Sequence, residues 1–257
     1  MKPSILKRAF RFVSSRYSKW DRLRKVGSGS IGLIDVGSVG GLSGAWRDHP
    51  SELSRVLNFD PNEKAIRTGS VITENCGLWE DDSELPFYIF RGFGGTGSSL
   101  YLPNFPYVKE NFDWLSKRGP ADLAHTWFER SECIKEIKLK CRSLDSVLAG
   151  LPNAEFHFLK IDAQGAELPI LKGASDFLQN KCVALQLELH DLPLYIGTAL
   201  RGEVVNFLAE RGFEIAAEEE PHGTFDSQKD VLFIHRERRK DLQSVIRRVY
   251  GLPNGDQ

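Results

Sequence analysis

Acidic side chains stand where apolar segments of the chain end, and carboxylates at such places can bind sugar hydroxyls or remove protons. Asp60 ends the apolar run 56–60, and Asp162 directly follows Phe158–Ile161. Glu167 comes five residues after Asp162. A carboxylate accepts charge-assisted hydrogen bonds from a ribose, and a well-placed carboxylate can act as a general base. These positions are therefore candidates for ligand binding and for proton transfer.

A glycine-containing bend follows the apolar segment Ile31–Val36. Gly37 and Gly40 enclose Ser38-Val39, and glycine lets a backbone turn tightly and approach a ligand closely. The spacing is not the GxGxxG pattern of dinucleotide-binding loops, which disfavours a pyrophosphate at this place.

Asp60 adds information because it comes 25 residues after Asp35. A carboxylate that ends the second strand of an α/β unit can bind both hydroxyls of a ribose. The alternative is that Asp60 caps a helix starting near Asn62. Together, the bend and Asp60 favour a ligand that contains adenosine.

The elements that must position these residues alternate between strand-like and helix-like patterns, which predicts a parallel sheet with helices on both faces. Ligands bind such sheets outside the carboxyl ends of the strands. The strand predictions cover 31–36, 56–60, 71–76, 87–91, 136–141, 156–161, 183–189, 213–217 and 231–235, with the last two forming an antiparallel hairpin. The helix predictions cover 5–25, 110–117, 121–130, 143–149, 168–180 and 201–211.

Two of these elements carry further predictions. Lys160 lies inside an otherwise apolar strand, so it needs an acidic partner nearby. Pro50 interrupts the segment between the first two strands, so the first crossover helix must be short or irregular.

An aromatic-rich insertion at about 92–133 separates the two halves of the sheet. It begins with a glycine-rich loop and continues into the two short predicted helices. The insertion could form a lid over a substrate, or it could be a satellite hydrophobic cluster under a long loop.

Charge and composition restrict the class of protein. The 257 residues suit one large α/β domain, and no apolar run reaches the length of a membrane span. Residues 1–26 hold nine Lys or Arg and one acid, whereas the formal net charge of the chain is −1. Such basic ends on an acidic body do not suggest a nucleic-acid-binding face. The basic helix within 1–30 either packs on the domain or contacts an anionic membrane or a lipid-linked substrate.

No signal peptide is expected, and four scattered cysteines suit a reducing cytoplasm better than a disulfide framework or a zinc site. We divide the chain into the N-terminal helix 1–30, a main domain 31–236, and a basic C-terminal helix and tail 237–257.

Several motifs resemble those of the FkbM-type methyltransferases. The stretch "LKIDAQGAELPILKGA" at 159–174 resembles the family signature, as do "LQLELHDLPLYIGTAL", "FLAERGF" and "DVLFIH" further on. Upstream, "LIDVGSVGGL" and "NFDPNE" are similar to the S-adenosylmethionine-binding motifs of this family. The resemblance covers about 31–236 and is most specific over 159–213. Gln164 stands where the family more often has an acidic residue.

The resemblance implies an α/β fold of the class I methyltransferase (Rossmann-like) type, mostly parallel, with a C-terminal antiparallel hairpin and helices on both faces. It also implies S-adenosylmethionine as the cofactor and O-methylation of a sugar, glycan, glycolipid or related small metabolite. The resemblance further implies a set of residues that bind the cofactor, and Asp35 among them lies in the strand before the bend. They are Asp35, Gly37, Ser38, Gly40, Asp60, Asn75 and Cys76.

A hydroxyl acceptor must lose its proton during methyl transfer. The candidate bases are Asp162 first, then His190, with Glu167 as a further candidate. Asp162, Glu188 and Asp191 could instead bind a divalent cation, although we favour catalysis without a metal.

Two other functions stay open at this stage. One is a binding or scaffolding protein that keeps the fold without turnover. The other is a nicotinamide oxidoreductase, which the absent GxGxxG pattern disfavours.

Overall fold

The computed structural model describes residues 23–37, 42, 44–61, 64–92 and 97–253. Its main sheet has the strand order β10-β11-β9-β8-β1-β2-β4-β3. The strands are β1 (Ile31–Val36), β2 (Leu53–Phe59), β3 (Ile66–Thr68), β4 (Val71–Glu74), β8 (Phe158–Ile161), β9 (Ala184–His190), β10 (Phe213–Glu218) and β11 (Gln228–His235).

The sheet is mostly parallel and ends in an antiparallel hairpin, as predicted. β1 pairs in parallel with both β2 and β8, and β8 pairs in parallel with β9. β11 runs antiparallel to β9 and to β10. The chain order reverses direction between β1 and β8, so the crevice for a ligand is expected at their carboxyl ends.

Two predicted strands belong to a separate small sheet and not to the main one. The small sheet has the order β5-β7-β6 and is formed by β5 (Gly77–Leu78), β6 (Ser83–Phe90) and β7 (Cys133–Arg142). β6 and β7 are antiparallel neighbours that flank the insertion. The sequence predicted both strands, at 87–91 and 136–141, but the local pattern of residues does not reveal which sheet a strand joins.

One face of the main sheet is covered by α4 (Leu144–Ala149), α5 (Glu167–Lys172), α6 (Ser175–Asn180) and α7 (Arg201–Ala209). Their apolar side chains meet strand residues such as Leu159 and Leu187 in the largest core cluster. The helix predicted over 168–180 is two helices, because the backbone leaves the helical conformation at Ala174. Gly173, just before the break, packs against the main chain of Trp79, where a side chain would not fit.

The opposite face is covered by less regular structure. Trp46, in the 3-10 turn Gly44–Arg47, packs edge-on against Phe158 at a centroid distance of 4.9 Å. The second 3-10 turn, Pro50–Glu52, confirms the predicted irregular crossover. Helix α8 (Lys240–Val249) completes this layer with its apolar side.

The prediction of a helix near Asn62 is wrong for the described residues of this segment. Residues 64–74 form β3 and β4, which are antiparallel neighbours at the edge of the sheet. The segment between β2 and β4 is too short for a helical crossover of ordinary length. An edge hairpin therefore replaces the expected helix.

The insertion folds over the carboxyl ends of the strands as a small layer with its own core. Its helices are α1 (Phe105–Leu115), α2 (Ala121–His125) and α3 (Trp127–Arg130). Val108 and Trp127 pack with Leu194, which follows β9, and with Phe225, which precedes β11. The predicted satellite cluster is thus present, and it ties the insertion to both flanking loops.

The predicted basic helix at 5–25 lies outside the described residues up to position 22. Across the described part of the chain, none of the helices combines the length and the apolar character needed to cross a membrane.

His157 gives this fold a pH-dependent stability. Its Nδ1 accepts the Gly32 main-chain N–H at 3.1 Å, which requires a neutral ring. Burial, helped by the Arg239 guanidinium, lowers the pKa of His157. A lowered folded pKa gives stability that is present above the unfolded value of about 6.5 and is lost as the pH falls through the folded value.

We therefore expect His157→Gln to lose part of the acid sensitivity of the wild-type protein. Thermal unfolding would be followed by circular dichroism at about pH 7.5 and about pH 5, with the exposed His125→Gln as the control. Equal falls in Tm for the wild type and His157→Gln would contradict the assignment.

Candidate active site

The crevice begins where the main chain after β1 touches the main chain after β8. Asp162 N–H donates to the Val36 carbonyl at 3.1 Å, and Gly37 N–H donates to the Phe59 carbonyl at the same distance. Gly37 has φ 81°, and a Cβ there would overlap the main-chain oxygen of Asp162. Glycine is therefore required at position 37 for its conformation and for the close approach.

A cavity of about 220 Å³, here cavity A, opens at this contact. Its walls are mostly apolar, and Asp60, Asp162 and Gln164 are its main polar groups. Asp60 and Asp162 thus face one cleft beside Gly37, which is the arrangement expected for an adenosine ligand. The lining consists of Val36, Gly37, Phe59, Asp60, Pro61, Cys76, Gly77, Leu78, Phe87, Gly97, Ser98, Leu100, Leu139, Asp162, Ala163, Gln164, Ala166 and Ile170.

The other residues predicted to bind the cofactor differ in their position relative to cavity A. Cys76 lines cavity A, and burial raises the pKa of its thiol to about 11, so it is a neutral wall. Asn75 is exposed, lies off the lining and donates to the Pro61 carbonyl at 2.8 Å. Ser38 and Gly40 lie outside the described residues.

Asp35 lies beneath cavity A and does not line it. Its carboxylate is fully buried and stands 3.7 Å from the Lys160 ammonium on the adjacent strand. Burial by itself would lower the pKa of Lys160, but nearby carboxylates, Asp35 foremost, outweigh burial and raise it. The predicted acidic partner of Lys160 is confirmed, and the placement argues against direct contact of Asp35 with a cofactor.

Gln164 bridges two carboxylates, that of Asp162, which follows β8, and that of Glu188, which lies within β9. Its Nε2 donates to Asp162 Oδ1 at 2.9 Å and to Glu188 Oε2 at 2.7 Å. Its Oε1 accepts the Tyr195 hydroxyl at 3.3 Å. The residue has φ 51°, a left-handed conformation that is unusual outside glycine. Ser99 Oγ–H donates to its carbonyl at 2.7 Å and helps to hold this conformation.

Glu167 faces the loop and lies off the linings of both cavities described here. Its Oε1 accepts the main-chain N–H groups of Ala163 at 3.0 Å and Gly165 at 3.3 Å. Burial raises its pKa to about 7, against the effect of these hydrogen bonds. Glu167 therefore holds the loop that carries Gln164, and its predicted catalytic role stays a prediction.

A second cavity of about 270 Å³, here cavity B, lies between the insertion and the loops around β9 and β11. Gln164 and Gly97 line both cavities, so the two spaces meet at the Asp162 loop. The lining of cavity B consists of Phe90, Gly97, Pro103, Leu123, Trp127, Arg130, Ser131, Gln164, His190, Leu194, Tyr195, Gly223, Thr224, Ser227 and Gln228.

His190 belongs to cavity B and not to cavity A. The side chain is buried, its ring stands edge-on to Tyr195, and burial lowers its pKa to about 4. The imidazole is therefore neutral near pH 7. Among the described residues, no partner hydrogen-bonds to His190 Nδ1 or to Ser227 Oγ, so cavity B has unused polar groups in its wall.

Arg130 braces this wall. Its guanidinium donates to the Leu123 carbonyl at 2.8 Å and to Thr224 Oγ1 at 2.9 Å, which links the insertion to the segment before β11. Desolvation lowers its pKa.

Sequence reasoning missed most of cavity B. Tyr195, Thr224, Ser227 and Gln228 lie in loops or at a strand start, with no spacing that marks them. The departure from the family pattern at Gln164 was the one available signal, and it did not reveal what the side chain contacts. Asp191, predicted as a possible cation ligand, instead pairs with Arg201 at 2.7 Å.

The doubly wound sheet, the antiparallel hairpin and the cleft at the switch point give the chain a fold of the class I methyltransferase type. The methyltransferase FkbM domain model matches residues 50–215, and the chain belongs to the FkbM methyltransferase family.

Two curated relatives match about the same share of the chain. Methyltransferase 1 of Beauveria bassiana is 23% identical over 197 residues, which cover 72% of this chain and 73% of that protein. The AMB antimetabolite synthetase AmbE of Pseudomonas aeruginosa is 26% identical over 202 residues. That match covers 72% of this chain but 10% of AmbE, so the chain corresponds to a small part of that synthetase.

Solved structures are more distant. The crystal structure of methyltransferase FkbM from Methylobacillus flagellatus has 15% identity and a TM-score of 0.44, covering 79% of this chain and 43% of that chain. Magnesium protoporphyrin IX methyltransferase from Synechocystis, with bound S-adenosylmethionine, has 10% identity and a TM-score of 0.35, covering 91% of this chain and 86% of that one.

We expect Gly37→Ala to lower Tm clearly more than Gly69→Ala does. Both glycines have positive φ, so alanine costs about 1–2 kcal/mol of strain at either place. Only at position 37 must the new methyl group also displace the Asp162 main chain, because a Cβ on Gly69 meets open space. Thermal unfolding of the two variants measures the difference, and equal losses would show that the Gly37 contact does not constrain the fold.

Proposed function

We propose that the protein transfers the methyl group of S-adenosylmethionine to a hydroxyl oxygen of a small sugar, glycan, glycolipid or related metabolite. The observation that carries this proposal is the meeting of two cavities at the loop after β8. Cavity A has the features expected for the cofactor, and cavity B those expected for the acceptor. Asp162 lines cavity A and lies two residues before Gln164, which lines both cavities.

The residues of cavity A suit a cationic nucleoside. Buried Asp60 directly follows β2 and would accept the ribose hydroxyls. The apolar walls at Leu78 and Phe87 suit a base, and the carboxylate of Asp162 suits a nearby positive charge. The cofactor, when bound, supplies an electrophilic methyl carbon on a positively charged sulfur.

Cavity B combines aromatic walls with polar groups at fixed positions. Trp127 and Tyr195 offer apolar surface, while His190, Ser227 and Gln228 offer hydrogen-bonding atoms. This mixture suits a small hydroxylated molecule, since ligand pockets are mostly apolar with a few orienting polar groups. The insertion that forms much of this wall would then act as the lid over the acceptor.

In the proposed reaction, the acceptor oxygen forms a bond to the methyl carbon as the carbon–sulfur bond breaks, and Asp162 takes the hydroxyl proton. The Gln164 amide holds Asp162 Oδ1 at 2.9 Å, which leaves Oδ2 for that proton. His190 is the second candidate for the base because it lines cavity B with a neutral ring. Much of the rate enhancement would come from alignment and from exclusion of water.

The first test is cofactor binding. Isothermal titration calorimetry of the full chain with S-adenosylmethionine, S-adenosylhomocysteine and NAD should give binding of the two adenosyl ligands and none of NAD. Failure of both adenosyl ligands to bind would overturn the proposal.

We expect Asp60→Ala to weaken binding of S-adenosylhomocysteine by about 1–3 kcal/mol, the scale of hydrogen bonds to a charged group. The exposed Asp113→Ala on helix α1 should bind like the wild type. Calorimetry under identical conditions makes the comparison, and an unchanged Kd for Asp60→Ala would remove this carboxylate from the ribose.

We expect Asp162→Asn to keep binding of S-adenosylhomocysteine, which lacks the sulfonium charge, and to lose about 10²- to 10⁴-fold in turnover, the usual contribution of a general base. Turnover would be measured with ¹³C-methyl-labelled S-adenosylmethionine against a panel of sugars, glycans and glycolipids. The methyl resonance of the product separates an ether from an amine. Full activity of Asp162→Asn would exclude it as the base, and cofactor binding without transfer to any acceptor would indicate a non-catalytic protein.

A further inference from the structure

Three side chains from different segments meet beside cavity B and have no role in the proposed methyl transfer. Glu188 on β9 and Asp230 on β11 are directly paired in the antiparallel ladder, so their carboxylates share one face of the sheet. His222, from the turn before β11, lies over them. Reciprocal main-chain hydrogen bonds between His222 and Gln228, at 2.9 and 3.2 Å, fix this turn.

The three side chains lie close enough together for one ion to bring their ligand atoms into its coordination shell. Each of Glu188, His222 and Asp230 offers one ligand atom, and these atoms lie within 4.8 Å of one another. Glu188 Oε1 and His222 Nδ1 are 4.0 Å apart, which is too long for a hydrogen bond. His222 Nε2 and Asp230 Oδ2 are 3.1 Å apart and share a hydrogen bond. Two ligand atoms that each stand about 2.0–2.2 Å from a tetrahedral cation are about 3.4 Å apart. A cation would therefore take the place of the proton between His222 and Asp230, and the Glu188 carboxylate would turn toward it.

Hydrogen bonds from neighbouring glutamine side chains already orient both carboxylates. Glu188 Oε2 accepts the amides of Gln164 at 2.7 Å and Gln228 at 2.8 Å, which leaves Oε1 for His222. Asp230 Oδ1 accepts the Gln186 amide at 3.0 Å. Such outer-shell hydrogen bonds are a regular feature of metal sites, because they fix the direction of the ligand atoms.

The surrounding charge also favours a cation. Asp162, Glu188 and Asp230 all act on Lys160, whose ammonium already stands beside Asp35. The carboxylates therefore outnumber the nearest buried cation. A bound divalent ion would relieve the repulsion among these carboxylates.

We propose that Glu188, His222 and Asp230 bind one divalent cation. Two oxygen ligands and one imidazole suit an ion of the Mn²⁺ or Zn²⁺ type better than Mg²⁺ or Ca²⁺, which prefer oxygen alone. All three side chains are partly exposed, so an ion can enter and keep water ligands. This trio replaces the predicted one, since Asp191 is paired with Arg201.

The cation would fasten the segment 219–227 to β9. That segment and the start of β11 supply Thr224, Ser227 and Gln228 to the wall of cavity B. The ion would thereby hold the acceptor side of the site in shape without contacting the reacting atoms.

The test is titration of the untagged full chain, stripped with EDTA and dialysed, with Mn²⁺ by calorimetry and by the loss of the free-ion electron paramagnetic resonance signal. Mn²⁺ is the main probe because the exposed Cys133 thiol can bind Zn²⁺ without a built site. We expect one Mn²⁺ per chain and weaker binding of Mg²⁺. His222→Ala and the near-isosteric Asp230→Asn should each weaken Mn²⁺ binding at least about tenfold, the scale of a lost ligand.

The matched control is His125→Ala, an exposed histidine on helix α2, which should bind Mn²⁺ like the wild type. Absence of saturable Mn²⁺ binding, or binding that survives both ligand substitutions, would overturn the proposal. Titration of the same stripped samples with S-adenosylhomocysteine separates the two proposals, because the cofactor result stands whether or not Mn²⁺ binds.

Discussion

The close approach of two parallel strand ends governs the arrangement of this molecule. Between β1 and β8 the chain order of the sheet reverses. The 3-10 turn Gly44–Arg47 and helix α5, which come after these strands in the chain, pack in the two different core clusters of the sheet. The absence of a side chain at Gly37 lets the Asp162 main chain lie against it. Both cavities depend on this contact, because it sets the position of the Asp162 loop that they share.

The Asp162 loop holds negative charges that water would otherwise solvate. One amide group, that of Gln164, satisfies an oxygen of Asp162 and an oxygen of Glu188, while its carbonyl oxygen accepts from Tyr195. Glu167 holds the same loop by accepting hydrogen bonds from its main-chain N–H groups. The strained backbone of Gln164 is maintained by these contacts, as is common at functional sites.

The insertion explains why a second cavity exists beside the first. Its own hydrophobic core gives it rigidity, and Phe225 and Leu194 join that core to the loops around β9 and β11. Because His190 ends β9 and His222 lies just before β11, the same packing positions the wall of cavity B and the proposed cation ligand His222. The insertion is therefore a packed layer that forms part of the wall of cavity B.

The sequence by itself determined the order of most strands and the polar residues at their carboxyl ends. It could do so because strand periodicity, glycine bends and chain alternation are local properties. It pointed to Gly37, Asp60 and Asp162 as neighbours, since parallel strand ends must meet at one edge of a sheet. It was wrong about a helix near Asn62, where the edge hairpin of β3 and β4 forms instead.

Only the tertiary structure decided the direction of each side chain. Asp35 turned to Lys160, Glu167 to its own loop, and Asp191 to Arg201. Cavity B arose from residues as far apart in the chain as Arg130 and Thr224. Contacts over such separations depend on packing of the whole domain, and no local pattern of residues encodes them.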